Sequence, residues 1–243
     1  MLLLAGAAAG LIGSVAGLAS LISYPALLAV GLGPVQANVT NTVSLVWSGV
    51  GSALGSRVEL TGQGLRLRPL MGAAALGGLM GGGLLLLTPA DAFEAVVPWL
   101  IALASVMVLA APAPDELAER TAGRAGPLLV AGIFVIGTYG GYFGAAAGVM
   151  MLALLLVATR DTTVRAIAGK NVLLGVANGV AALSFVLLGP VDWAAVLPMA
   201  LGFFVGGRAG PAVARRAPTR LLRVLVGVAG LGLAAFLAVA TYA

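Results

Sequence analysis

The chain has 243 residues, of which 61% are hydrophobic and only 9% are charged. Soluble domains carry about 25% charged residues because their surfaces must be hydrated, so this composition excludes a water-soluble protein. The net charge of +5 does not indicate nucleic-acid binding, because the basic residues stand in short breaks between apolar runs. The absence of cysteine and histidine excludes disulfides, thiol chemistry and histidine-ligated metal or haem cofactors.

Eight apolar segments follow one another along the chain. A helix needs roughly 20 apolar residues to cross a bilayer, and six segments have about this length. Segments 1–33 and 127–158 are longer, and each is interrupted by small residues, GLAS and GAAAG. We expect each long segment to be a strongly tilted helix or two half-helices around the break, buried in protein. No basic leader opens the chain, so we expect segment 1–33 to belong to the mature fold. The six ordinary spans are 37–56, 69–88, 93–111, 166–188, 193–214 and 220–241.

The two long segments open two similar halves, 1–111 and 127–243. Aligning Ala37 with Ala166 relates the halves by an offset of 129 residues. The charged, proline-containing stretch 112–126 is then a linker between two repeats of one integral membrane domain. Secondary transporters are often built from such repeats, with the substrate site at the repeat interface.

Loop charges predict how the two halves are oriented. The break at 57–68 holds three arginines, whereas the corresponding break of the second half holds only Asp192. At the next pair of breaks the signs are exchanged, with Asp91 and Glu94 against four arginines at 215–223. Because basic loops stay in the cytoplasm, the repeats are predicted to be inverted. Three crossings and one re-entrant hairpin in each half would satisfy this, with a cytoplasmic linker and external termini. Eight full spans are the alternative.

Lys170 is the only lysine of the chain and lies inside an apolar segment. An ammonium group within a membrane is costly unless it is paired or hydrated, which makes this residue a functional candidate. The alternative is that Lys170 extends to the membrane interface from the first turn of its helix. Its counterpart in the first half is Asn41, in a polar run with Thr40 and Thr42.

We predict a central substrate site around the two breaks. Broken helices direct N–H groups and positive dipole ends toward the break, which suits an anion. The proposed spans hold no acidic residue, which weighs against a metal-cation carrier and indicates no metal site. Alternatively, the polar residues cap helices and the glycine runs are packing faces. The predicted site residues are Lys170, Asn171, Thr40, Asn41, Ser20, Gly17, Gly144 and Gly148.

A glycine-containing stretch at 17–25 is followed by A-x-x-T at 37–40, and the second half repeats this order with 141–148 and A-x-x-G-K at 166–170. Over essentially the whole chain this pattern resembles the TauE/SafE family of sulfite and organosulfonate exporters. The resemblance implies export of small sulfur oxyanions or organic anions.

We therefore expect an all-α, multi-pass transporter of the bacterial inner (cell) membrane that exports a small anion by alternating access. A negative cell interior drives each anionic charge outward by about 2.3 kcal/mol per 100 mV. We expect no cofactor and no partner beyond the substrate and the lipid bilayer, with a homodimer as one assembly that the sequence allows. The alternatives are a non-transporting membrane scaffold and an intramembrane enzyme, which would need a nucleophile with a base, or a metal.

Overall fold

The computed structural model describes residues 1–112, 126–159, 161–215 and 219–242, without the side chains of 219–223. Apart from its two end residues, the predicted linker 112–126 lies outside the described residues. Within them the chain forms α-helices and no strands. The helices are α1 (Leu2–Ala16), α2 (Ser20–Ala29), α3 (Pro34–Gly55), α4 (Arg57–Leu60), α5 (Gly64–Leu87), α6 (Ala90–Ala110), α7 (Pro127–Tyr142), α8 (Ala147–Ala158), α9 (Thr163–Leu188), α10 (Trp193–Ala214) and α11 (Thr219–Tyr242).

Both long segments are broken where the sequence predicts. Gly17 ends α1 with a φ of 79°, and the second break has positive φ angles of 76° at Gly144 and 58° at Ala146. Glycine adopts this left-handed backbone without the steric cost that other residues incur. The half-helices have 15, 10, 16 and 12 residues, so at 1.5 Å per residue none reaches the roughly 30 Å of a hydrocarbon core. The alternative of two straight, strongly tilted helices is therefore wrong.

Each pair of half-helices folds back as a hairpin. A Cβ atom on Gly132 of α7 would contact Leu154 of α8, and the break lies midway between these two residues. The first hairpin begins beside Met199, near the start of α10. The segment after α2 returns to the same end, because Thr40 of α3 accepts a hydrogen bond from the backbone of Asp192. We call α1–α2 the first hairpin and α7–α8 the second.

Five helices are long and apolar enough to cross a membrane: α5, α6, α9, α10 and residues Val224–Tyr242 of α11. They correspond to five of the six predicted spans. The sixth coincides with α3, which has 22 residues but a polar first half that includes Gln36, Asn38 and Asn41. The chain is therefore an all-α polytopic membrane protein.

The helices of one half pack mainly against those of the other. α1 lies along α10 as α7 lies along α5, and α3 packs on α10 as α9 packs on α5. α3 also crosses α9, and α6 packs on α11. Exchanging each helix for its counterpart leaves this set of pairs unchanged. Two inverted repeats would produce such a set, and the inverted relation itself stays a prediction.

Small residues form the closest helix contacts. A Cβ atom on Gly77 of α5 would overlap the carbonyl oxygen of Phe134 in α7. Its counterpart Gly206 of α10, 129 residues later, meets the carbonyl oxygen of Ala7 in α1 in the same way. The glycine runs at 71–83 and 202–210 are thus packing faces, as one interpretation of the sequence held.

Ion pairs join the halves at one end of the molecule. Arg215 Nε lies 2.8 Å from Glu59 Oε1, and Arg66 pairs with Asp161. Gln63 Nε2 also donates to the carbonyl oxygen of Arg165 at 3.2 Å. The stretch 57–66 of the first half therefore lies beside basic stretches of the second half, the grouping that the loop charges predict.

Candidate substrate cavity at the two helix breaks

The tips of the two hairpins meet in the interior of the molecule. The backbones of Gly17 and Gly148 are in direct contact, because a Cβ atom on either residue would overlap the backbone of the other. Beside this contact lies a cavity of about 60 Å³, measured as the space open to the centres of water-sized spheres. That volume holds roughly four waters. Glycine at both positions lets the tips close one wall of the cavity.

Aromatic rings and a tyrosine hydroxyl hold the second tip in place. The ring of Phe143 packs edge-on against Tyr24 of the first hairpin, with centroids 5.4 Å apart, and against Phe93 of α6 at 6.1 Å. The hydroxyl of Tyr139 donates to the carbonyl oxygen of Ala145 at 2.8 Å, which ties the unwound segment to α7. The shape of the break is therefore fixed by side chains from three elements.

The cavity lining repeats the offset between the two halves. Ala19 and Gly148 differ by 129 residues, as do Thr42 and Asn171. The same offset relates three further pairs of lining residues, Ser14 with Phe143, Leu45 with Leu174, and Gly49 with Asn178. The cavity thus lies where equivalent positions of the two halves face each other.

Two helix N-termini border the cavity. α2 begins at Ser20 and α8 begins at Ala147, and both residues line it. The first turn of a helix presents N–H groups without partners in that helix, together with the positive end of the helix dipole. No acidic residue belongs to the lining, which has polar side chains at Ser14, Ser20, Thr42, Ser48, Ser52, Asn171 and Asn178. The arrangement suits a small anion.

Lys170 lies behind the cavity wall. The side chain is completely buried, and Nζ donates to the carbonyl oxygens of Gly13 and Ser14, each at 3.0 Å. Asn171 Nδ2 donates to the same Ser14 oxygen at 3.1 Å. Both residues thus cap the carbonyl end of α1, where a cation also offsets the negative end of the helix dipole. The complete burial of Lys170 does not fit the interpretation in which it reaches the membrane interface.

The eight predicted site residues divide into two groups. Asn171 and Ser20 line the cavity together with the three glycines of the breaks. Lys170, Thr40 and Asn41 do not line it. Asn41 Nδ2 instead supports the lining by donating to Ser20 Oγ at 3.3 Å, which leaves the hydroxyl proton of Ser20 for a ligand.

Several lining residues and one helix cap escaped the sequence analysis. Ser48 and Ser52 of α3 extend the polar face that begins at Thr42, and their spacing of three or four residues was the available signal. Asn178 could have been found from Gly49 by the offset of 129. Asn38 gave no comparable signal, although its Nδ2 donates to the carbonyl oxygen of Tyr142 at the end of α7, at 2.8 Å.

Residues 2–237 match the model of the family described as "Sulfite exporter TauE/SafE". The chain is also 28% identical over 225 residues to "Probable membrane transporter protein YfcA" of Escherichia coli (strain K12), covering 90% of this chain and 81% of that protein. It is 26% identical over 227 residues to "Probable membrane transporter protein ORF9" of Sinorhizobium sp, covering 93% and 87%. No solved structure matches the chain significantly. Since the family model covers nearly all of this polytopic chain, the protein belongs to the sulfite exporter TauE/SafE family and is a membrane transporter.

Proposed function

We propose that this transporter exports a small anion, sulfite or another sulfur oxyanion or organosulfonate, across the bacterial inner membrane by alternating access between its two halves. The observation that carries this proposal is the cavity at the meeting point of both hairpins. The N-termini of α2 and α8 border it, and its lining contains no acidic residue. Its volume of about 60 Å³ suits an anion with the size of sulfite. A longer organosulfonate requires the cavity to widen during transport.

The printed names of the family and the relatives support the same substrate class. The family description names sulfite export, and both relatives are named as membrane transporters. Hydroxyl and amide donors such as Ser20, Asn171 and Asn178 match the oxygen acceptors of sulfite and sulfonate groups. These groups provide binding and not chemistry, which agrees with transport of an unchanged substrate.

Lys170 has a defined electrostatic role in this proposal. The carbonyl end of α1 lies in the cavity wall at Gly13 and Ser14, and its negative potential would repel an anion. The ammonium of Lys170 bonds both carbonyls and reverses that potential. Opposite unit charges attract by about 4 kcal/mol at 4 Å for an effective dielectric near 20, and by half of that at twice the distance. The charge therefore contributes to anion affinity from behind the wall.

Substituting Lys170 tests this function. We expect Lys170→Met to reduce sulfite export from loaded proteoliposomes by at least about tenfold, because the negative end of α1 then faces the cavity. Lys170→Arg keeps the charge and should retain partial export with altered selectivity among sulfite, thiosulfate, sulfonates and carboxylates. Ser105→Ala is the control, since Ser105 is buried in α6 and bonds only within its helix, to Ile101. Export by Lys170→Met at the wild-type rate would contradict the proposal, and a scaffold protein would show no specific export.

A further inference from the structure

The carbonyl ends of α1 and α7 are equivalent positions with different partners. Tyr142, the last residue of α7, corresponds to Gly13 of α1 by the offset of 129, and Asn41 corresponds to Lys170. At α1 the carbonyl oxygens receive the ammonium of Lys170. At α7 the carbonyl oxygen of Tyr142 receives the neutral amide of Asn38. The first half thus has a neutral side chain where the second half places a fixed positive charge.

Two buried oxygens at this place lack a partner among the described residues. They are Asn38 Oδ1 and Asn41 Oδ1, and both side chains are only 1% exposed. The orientation of the Asn38 amide is fixed, because only its NH₂ group can face the carbonyl oxygen of Tyr142. Buried polar atoms are nearly always hydrogen-bonded in native proteins, since an unsatisfied one costs about 1–3 kcal/mol. The two oxygens therefore indicate a ligand that accepts electron pairs.

We propose that a small monovalent cation, for which Na⁺ is the probe, binds at the carbonyl end of α7 between Asn38 and Asn41. Both side-chain oxygens are neutral donors of electron pairs, and the end of α7 adds the negative pole of its dipole. Carbonyl oxygens at the ends of broken helices bind monovalent cations in other carriers. Divalent ions are disfavoured, because they take carboxylate ligands and neither oxygen belongs to a carboxylate. The cation is then the mobile counterpart of the Lys170 ammonium.

The site deepens the proposed function, because a cation there would act on the anion cavity. Phe143, the residue after Tyr142, lines the cavity, and Asn41 holds the lining residue Ser20. A positive charge at the end of α7 raises anion affinity in the same way that Lys170 does at α1. Thermodynamic linkage then requires sulfite to raise cation affinity by the same factor. The transport role rests on the proposed function, whereas cation binding does not.

Thermal unfolding of the purified full-length protein without sulfite tests cation binding. At equal ionic strength, NaCl or KCl should raise Tm over choline chloride, by an amount that grows with cation concentration. An equal Tm in all three salts would overturn the proposal and indicate that water satisfies the two oxygens. A sulfite titration in choline chloride separately tests the anion cavity, so the failure of one proposal is distinguishable from the failure of the other.

Three variants of α3 locate the site. Asn41→Ala should lose the cation-dependent shift in Tm. Ser44→Ala should keep it, because Ser44 is equally buried in the same helix and its hydroxyl donates to the Thr40 carbonyl. Asn38→Asp sets a carboxylate against the Tyr142 oxygen, and a cation relieves this repulsion. It should therefore lower the cation concentration for half-maximal stabilisation by roughly tenfold. An unchanged cation response in Asn38→Asp would overturn the proposed location even where Asn41→Ala fails to fold.

Discussion

Single buried residues in this protein are placed by the helix ends that they complete. Lys170 and Asn38 lie on different helices, yet each satisfies carbonyl oxygens where a hairpin unwinds. A helix leaves its last carbonyl groups without internal partners, and inside a membrane no water is available to all of them. The requirement to satisfy backbone groups therefore explains why polar residues occur at these depths, and the potential that results is available for substrate binding.

The ion pair of Glu59 and Arg215 gives a prediction for the dependence of stability on pH. The hydrogen bond from Arg215 holds the pKa of Glu59 below its ordinary value of 4.5. Because the folded-state pKa is the lower one, the pair stabilises the fold fully above that ordinary value, and this stabilisation is lost as the pH falls through the lowered pKa. Wild type should therefore have a higher Tm than Glu59→Gln at neutral pH, and the two values should converge in acid. A difference that persists under acid conditions would assign the effect to packing instead of charge.

At the scale of the helices, sequence reasoning succeeded where composition alone determines the outcome. Twenty apolar residues predict a span, and small residues inside an overlength segment predict a break, because both follow from local chemistry. The direction in which Lys170 points was not predictable in this way. It depends on the crossing of α9 with the end of α1, which only the packing of 156 intervening residues decides. The polar face of α3 was only half recognised for the same reason.

The contact between the two hairpin tips gives a prediction at this scale. Gly148→Leu should abolish sulfite export while membrane insertion is retained, because any side chain there overlaps the backbone of Gly17 and forces the tips apart. Gly83→Leu is a matched control, since nothing lies within 4 Å of a Cβ atom at this helical glycine. Export per protein in proteoliposomes, with size-exclusion profiles to confirm folding, measures both variants. Normal export by Gly148→Leu would mean that the tips need not touch.

For the whole molecule, packing and charge lead to the same arrangement. Each helix of one half packs against the counterpart of its own partner, and the stretches 57–66 and 161–165 share one end of the molecule. Basic loops stay in the cytoplasm, so that end is expected to face the cell interior. Sequence predicted the offset between the halves correctly as the relation among cavity residues, because duplicated helices keep equivalent faces. Which compartment each end faces is a property of the membrane, and it requires an experiment.

Single cysteines can be placed in this cysteine-free chain to determine that orientation. Thr61→Cys and Thr162→Cys lie at exposed positions of the basic end, and Ala92→Cys and Ala194→Cys are exposed in the breaks of opposite sign. With six crossings and two re-entrant hairpins, Thr61 and Thr162 face the cytoplasm together, and an impermeant thiol reagent added to intact cells should label only the two alanine positions. Eight full spans would instead put an odd number of crossings between Thr61 and Thr162. Labelling of one of these two threonine positions but not the other would therefore refute the inverted arrangement, because no rotation of the whole molecule in the membrane could separate them.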